Sequence, residues 1–491
     1  MKLIFVDDII RFCLDEIFFM FNYEKIFAYT FKIVRDACLT LDDDVSKSLI
    51  EKMEEGLDNR KRGRAVRLIY DRDMPSDMLA FIAGKLGFKS EEGLEGGGRY
   101  HLMRDLMSFP KVCPSLENSN PKPLSHPDIK PSFSILQVIK KRDVLLNYPY
   151  HTFNHFIDFL REAAIDPKVE KIFITLYRTA GHSKVINILV NAAKNGKQVV
   201  VIMELKARFD EEQNVENSDM LQRAGVKVIH GVESIKVHSK LVLIERKERM
   251  ASKGYVYVGT GNFNESTALI YSDFGFFTSD SQVASDARQV FEFLQNIHKR
   301  FSCKQLVVSP YYMRSQFEEL IEQEIRYAQK GKRAFIQAKF NSLTDEKMIR
   351  LLYKAGKAGV QIQLIIRGAC CLCPQVKNLS ENIQVISIID KYLEHTRFVI
   401  FHNNGNENVF ILSADWMTRN LDRRVEVGVP IREEKIKRTL KEIFRIQWSD
   451  NVKARDLKQL GQNDYIQRKE GDMEVRSQTV LYDYFLNQKK K

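Results

Sequence analysis

Long apolar runs are missing from this chain. No stretch approaches the ~20 consecutive apolar residues a membrane-crossing helix needs, so a transmembrane segment is not expected. The opening Met1-Lys2-Leu3-Ile4-Phe5-Val6 is cut short by Asp7-Asp8 and makes a poor signal peptide. Cysteine is scarce and odd in number, seven in 491 residues. Only Cys370-Cys371-Leu372-Cys373 cluster, and no second Cys pair or His-x-x-x-His partner completes a zinc site. The cysteines therefore read as reduced, cytosolic thiols. Proline is also sparse: twelve in all, of which Pro114, Pro121, Pro123, Pro127 and Pro131 crowd one stretch rich in Ser and Asn. That stretch reads as an extended linker.

Acidic charge is the minority: 76 Lys and Arg against 64 Asp and Glu leave a net +12. A basic balance supports an anionic partner such as nucleic acid, a membrane surface or a polyphosphate, although a charge excess is more often just a solvated surface. The 44% hydrophobic content is that of a globular protein, and the length suits about three domains. One boundary falls in the proline-rich linker and a second near Ser302–Ser309. The domains are expected at 1–124, 125–305 and 306–491, with a solvated tail at Asn487-Gln488-Lys489-Lys490-Lys491.

The most informative feature is a motif present twice. His238-Ser239-Lys240 precedes the strand-like Leu241-Val242-Leu243-Ile244, and His395-Thr396-Arg397 precedes Phe398-Val399-Ile400-Phe401. Residues i and i+2 of a strand share a face, so each imidazole and its cation point into one pocket. An imidazole is a competent nucleophile at neutral pH and the cation holds an anion. One His-x-Lys alone is usually accidental, but here the surroundings repeat too. Lys171–Leu176, Val199–Met203 and Val226–Ile229 match Ala334–Gln337, Ile362–Ile366 and Ile383–Ile388 as strands. Gly196 and Gly359 stand where a helix stops before a strand. Gly196 precedes His238 by 42 residues and Gly359 precedes His395 by 36. Alternating strands and helices predict β-α-β units and a mostly parallel sheet.

Each His strand leads through a turn, Glu245–Gly254 or His402–Glu407, to a second polar cluster. The clusters are Gly259-Thr260-Gly261-Asn262-Phe263-Asn264 and Leu412-Ser413-Ala414-Asp415-Trp416-Met417-Thr418-Arg419-Asn420. Such clusters offer backbone N–H groups and side-chain donors to an anion. Ahead of the linker the pattern mixes helix and strand: a buried strand over Ile26–Val34, a helix over Ser46–Leu57, and Gly96-Gly97-Gly98-Arg99 as a flexible turn rather than a phosphate loop.

The paired motifs with their polar clusters resemble the phospholipase D fold, in which two facing β-α-β repeats share one phosphoryl-transfer site. Glu245 and His402 stand where that superfamily often has Asp, and Arg397 replaces Lys. Longer stretches resemble family-1 polyphosphate kinase: Thr175-Leu176-Tyr177-Arg178, Glu204-Leu205-Lys206-Ala207-Arg208-Phe209-Asp210-Glu211, the Gly259–Asn264 cluster, Tyr271-Ser272-Asp273-Phe274, Arg367-Gly368, Tyr392-Leu393-Glu394-His395 and Ser413–Asn420. Ala28-Tyr29-Thr30-Phe31-Lys32 and Tyr70-Asp71-Arg72-Asp73-Met74-Pro75 extend the likeness to the front part. Family members begin with a helical N-terminal domain, and this sequence starts inside the second domain.

The resemblance implies an α/β protein of two facing phospholipase D-like repeat domains behind a partial α+β domain. It implies reversible transfer of the ATP γ-phosphoryl group to polyphosphate through a phosphohistidine. His238 would be the nucleophile, and His395 would stabilise or protonate the transferring group. Lys240, Arg397, Arg367 and Arg419 are cations suited to the charge of the transferring phosphoryl group. By the same resemblance Tyr271, Arg367 and His395 contact the nucleotide, and Arg178 and Arg208 occupy magnesium/phosphate positions. Arginine does not ligate Mg²⁺, so these two would hold phosphates that carry the metal. Arg419, Asn262 and Asn264 are assigned to polyphosphate. ATP/ADP, polyphosphate and Mg²⁺ are the expected ligands, with a homo-oligomer, no nucleic acid, and a cytoplasmic or peripheral inner-membrane location. A phospholipase D-type phosphodiesterase and a non-catalytic polyphosphate binder are the alternatives.

Overall fold

The computed structural model describes the chain apart from residues 1–2, 37–49, 52, 54, 57–62, 131, 208–209, 232–234, 249–250, 459–462 and 491. It falls into two compact units, Met1–Asn120 and Pro121–Lys491.

In the smaller unit the described strands form one sheet in the order Phe31–Arg35, Ala65–Asp71, Leu94–Gly97. The first pair is antiparallel and the second parallel, with helix Ser76–Lys85 between the parallel strands in sequence. The strand expected over Ile26–Val34 begins only at Phe31 and is half-buried at most, because a sheet this small leaves little to bury. Gly96 and Gly97 lie in a strand opposite Tyr70 and Asp71, so the glycine run is mainly strand. A Cβ on Gly97 would sit 3.2 Å from Ile69. The helix expected over Ser46–Leu57 lies largely outside the described residues.

The larger unit holds two sheets of like design. Val169–Leu176, Gln198–Met203 and Lys227–His230 pair in parallel in the first repeat. Phe335–Phe340, Gln361–Ile366 and Ile383–Ile388 do so in the second. Helices Lys184–Lys194 and Glu211–Arg223 make the crossovers of the first, while the second has helix Glu346–Lys357 and an irregular connection. Gly196 (φ +79°) and Gly359 (φ +99°) end the matching helices in the left-handed region that glycine enters without steric cost.

Each sheet then turns antiparallel, through Leu241–Glu248, Ala251–Gly259 and Tyr271–Thr278 in one and Phe398–Phe401, Asn408–Leu412 and Arg424–Ile431 in the other. The sheets are therefore mixed rather than mostly parallel. A strand leaving each His motif returns by a hairpin, too short for the crossover a parallel neighbour requires. Most of Glu245–Gly254 is strand rather than turn, whereas Asn403–Gly405 is a tight turn.

One apolar core runs through both repeats. Leu243, Phe274 and Phe291 of the first join Phe398, Val427 and Phe444 of the second, and helix Ser477–Lys490 adds Leu481 and Phe485. Burying each such side chain contributes about 1.5–3 kcal/mol, so the two halves stabilise one another. The repeats also exchange backbone. Lys236–Val237 of the first pairs in parallel with Arg424–Val425 of the second, and Leu393–Glu394 pairs with Tyr271–Ser272 of the first. No helix among the described residues is long and apolar enough to cross a membrane.

A candidate active site between the two repeats

The exchanged strands end one residue before each histidine, so backbone pairing sets where the imidazoles stand. The His238 N–H donates to Val425 O at 3.0 Å, and the His395 N–H donates to Ser272 O at 3.0 Å. Each ring then meets a carboxylate of the opposite repeat. His238 Nδ1 lies 2.8 and 2.9 Å from the Glu426 oxygens, and His395 Nδ1 lies 2.8 and 3.0 Å from those of Asp273. Both carboxylates are held from behind. Thr260 Oγ1 donates to Asp273 at 2.5 Å, and Ser413 Oγ donates to Glu426 at 2.6 Å. Asn420 Nδ2 adds a bond to Glu426 at 2.5 Å. Both Nδ1–H groups are thus spent on carboxylates, which leaves the lone pair on Nε2.

Burial pushes the His238 imidazole down to about 3, with Glu426 opposing, and pushes His395 down, with Asp273 opposing. Burial would raise Asp273 and Glu426, but the histidines and the hydroxyl donors bring both below the ordinary carboxylate range. Both rings are therefore neutral against ionised carboxylates.

The two halves differ at the cation. Lys240 Nζ donates to the His238 carbonyl; burial lowers it to about 7. Arg397 instead reaches His395 Nε2 at 3.3 Å and Asp415 at 3.2 Å. Asp415 follows Ser413 as Asn262 follows Thr260. The second half thus neutralises its cation with an acid where the first has an amide, and Asn262 Oδ1 is buried without a hydrogen-bond partner among the described residues.

Tyr271 packs edge-on to His395 with ring centroids 5.4 Å apart. Arg367 donates to Asn341 Oδ1 at 2.7 Å and to the Glu394 carbonyl at 2.5 Å, which places it beside His395. Arg178 pairs with Asp210 at 2.9 Å and lies over Tyr177, whose ring meets His238 edge-on at 4.9 Å. Arg419 is exposed on helix Thr418–Asp422, next to the buried Asn420. Asn264 is turned to local use, its Oδ1 accepting from the Ser266 and Thr267 N–H groups at 3.0 Å, so that oxygen caps its own loop. Arg208 lies outside the described residues.

Glu245 and His402 are not site residues. Glu245 pairs with Arg288 and Lys171, and His402 stacks on Phe335. Both lie seven residues beyond their histidine, far along the outgoing strand or past its end. The carboxylates that serve the histidines, Asp273 and Glu426, were not singled out from the sequence. A signal existed: Asp273-Phe274-Gly275 and Glu426-Val427-Gly428 repeat, each thirteen residues after its hydroxyl partner.

Among the described residues no group of three or more His, Cys, Asp or Glu is placed to hold a metal ion. The arrangement offers a nucleophilic imidazole, a matched second imidazole and a wall of cations. Those are the parts that phosphoryl transfer needs.

Comparison with known proteins agrees along the length of the chain. Three family models match: polyphosphate kinase middle domain at residues 1–109, C-terminal domain 1 at 134–300 and C-terminal domain 2 at 306–478. The polyphosphate kinase of Vibrio vulnificus (strain CMCP6) is 45% identical over 490 residues, which cover 99% of this chain and 70% of that protein. The polyphosphate kinase of Escherichia coli (strain K12) is 41% identical over 486 residues, covering 98% and 70%. The crystal structure of polyphosphate kinase from Porphyromonas gingivalis superposes with a TM-score of 0.87 at 35% identity, over 99% of this chain and 71% of that one.

Proposed function

The chain belongs to the polyphosphate kinase family, and from that premise we propose how its residues move a phosphoryl group between ATP and the end of inorganic polyphosphate. His238 Nε2 attacks the γ-phosphorus of ATP. A nitrogen–phosphorus bond forms, the bond to the β–γ bridging oxygen breaks, and ADP leaves. The terminal oxygen of polyphosphate then attacks the phosphorus of the phosphohistidine, the nitrogen–phosphorus bond breaks to return neutral His238, and the chain grows by one unit. Run backwards, the same steps make ATP. Glu426 keeps the Nδ1 proton through both steps, so the ring's tautomer and aim do not change.

The observation that carries this reading is the difference between the two Nε2 atoms. That of His395 accepts from Arg397; that of His238 has no hydrogen-bond partner among the described residues, where its only ring bonds are those of Nδ1 to Glu426. His395, neutral and bonded to Arg397, serves as a holder of that cation rather than as a proton donor. Lys240, Arg397 and Arg367 offset the charge of the transferring group, Tyr271 and Arg367 border the nucleotide, Arg178 and Arg208 serve the phosphates that carry the metal, and Arg419 and Asn262 serve the polymer. Mg²⁺ enters as part of the substrate, on the phosphates of ATP. This fits the donor set, because Asp273 and Glu426 are committed to histidines and Asp415 to Arg397, and Mg²⁺ commonly rides on phosphates with few protein ligands. Domain limits at 124 and 305, a homo-oligomer and a cytoplasmic or peripheral inner-membrane location belong to the same proposal.

Incubation with γ-labelled ATP tests it. Label is expected on protein in an acid-labile, alkali-stable form, and His238→Ala is expected to abolish it. Persistent label in that variant removes His238 from the role. Cleavage of phosphodiesters in place of chain elongation would favour a phospholipase-like activity.

A further inference from the structure

A cavity of about 820 Å³ opens in the second repeat. It lies at the N-terminal ends of the parallel strands, whereas the histidines sit toward their C-terminal ends. Its floor is a row of three glutamines, Gln337, Gln363 and Gln384, in register on adjacent strands. Gln337 Nε2 donates to Gln363 Oε1 at 2.8 Å. Two stacked pairs of rings stand in its wall: Phe335 with His402, centroids 4.7 Å apart and planes 27° apart, and Phe444 with Trp448 at 5.7 Å and 11°. His402 Nδ1 is buried and has no hydrogen-bond partner among the described residues. Of the charged side chains in the lining, Lys441 pairs with Glu407 and Arg445 with Glu442, Glu381 adds an acid, and Arg333 and Arg438 add two further cations.

The first repeat provides a comparison within the same molecule. Strand register puts Phe173 and Val200 where the second repeat has Gln337 and Gln363. Glu245 stands where the second repeat has His402, and it is tied to Arg288 at 2.6 Å and Lys171 at 3.8 Å. The crevice there shrinks to about 230 Å³. The fold therefore does not require the larger cavity. Two apolar side chains and an ion pair close it in one copy, and the other copy replaces them with amides and a stacked imidazole.

Gln337 and Gln363 are half-buried and Gln384 is exposed, so the row of amides faces the opening of the cavity. Each presents a donor and an acceptor side by side, the pattern that reads a nucleobase edge. Aromatic planes stack a base, and guanidinium groups hold a phosphate. The volume is that of a small-molecule site. We propose that this cavity binds a purine nucleotide, its base over the glutamine row and against the stacked rings, its phosphate at Arg333 and Arg438. The site is separate from the phosphoryl-transfer centre and does not depend on the reading given to His238.

The chain has two tryptophans, and Trp416 is fully buried, so Trp448 reports on the cavity. The intrinsic fluorescence of the whole protein is titrated with AMP, GMP and inorganic phosphate. Saturable quenching by a purine nucleotide and none by phosphate is expected. Gln337→Phe with Gln363→Val installs the first repeat's residues; it should abolish quenching while leaving turnover and the KM for ATP unchanged, which also reports a folded protein. Arg438→Glu, at an exposed position, should weaken binding several-fold in equilibrium dialysis, and Trp448→Phe should lose the signal yet still bind. Absence of saturable quenching, quenching by phosphate alone, or quenching that survives the filled cavity overturns the proposal.

Discussion

Glu426 and Lys240 act on His238 through different atoms. Glu426 fixes the proton on Nδ1, and Lys240, bonded to the His238 carbonyl, brings positive charge to the same pocket. Glu426→Gln keeps the shape and a hydrogen-bond acceptor but removes the charge that stabilises the ring as it bonds to phosphorus. Turnover should fall by roughly 10²–10⁴-fold, the scale of losing one positioned proton partner, with the KM for ATP little changed; steady-state kinetics decides, and a loss of only a few-fold would sink the assignment. Lys240 makes a separate claim about pH. Its folded value of about 7 means that the free enzyme loses this charge as pH rises through neutrality. kcat/KM for ATP should therefore decline on the alkaline side of about 7. Lys240→Arg should remove that decline, since guanidinium stays charged and Arg397 fills the matching place in the second repeat. An unchanged pH profile in the variant would exclude Lys240 as the source.

Among elements, the short exchanged strands matter more than their length suggests, because each aims a histidine. Strand Leu393–Glu394 is gripped by two helices. Gln478 of helix Ser477–Lys490 accepts from the Tyr392 N–H at 2.9 Å and donates to the Tyr392 carbonyl at 2.9 Å and to Glu394 Oε1 at 2.7 Å. Gln447 of helix Glu434–Trp448 donates to Glu394 Oε2 at 3.0 Å, and Lys339 pairs with the same carboxylate. Gln478→Ala would leave a buried carboxylate oxygen short of a partner, a cost of about 1–3 kcal/mol. It should lower the melting temperature and also slow turnover, because the His395 backbone follows the gripped strand. Equal turnover in a variant with a lowered melting temperature would make Gln478 merely structural. What the sequence disclosed at this scale was local. The His-x-cation pairs follow from strand periodicity, and Gly196 and Gly359 follow from helix ends. The carboxylate partners were hidden because the contacts span 188 and 122 residues, beyond any periodicity. Strand direction was hidden because hairpin and crossover differ only in the length of the return.

At the scale of the whole molecule, the unit Pro121–Lys491 buries imidazole in its neutral form. Burial holds His126 at about 4 and His238 at about 3, and holds His151 and His395 below the ordinary value. The sign of the consequence follows from proton counting. Below pH ~6.5 the unfolded chain takes up protons at these positions and the folded one does not. Stability is complete above that pH and is lost as pH falls toward the folded values. Each proton by which the two states differ contributes about 1.4 kcal/mol per pH unit. Glu204, raised by burial, opposes this, while Asp273, Asp415 and Glu426, all lowered, extend the loss to more acid pH. The urea midpoint, followed through the core Trp416, should thus drop steeply from pH 6.5 to 4. A variant lacking one buried imidazole, His151→Phe, should show a shallower slope whatever its absolute stability. A midpoint that stays flat between pH 7 and 5 would mean that the rings take up protons in the folded state. That outcome would sink the stability argument.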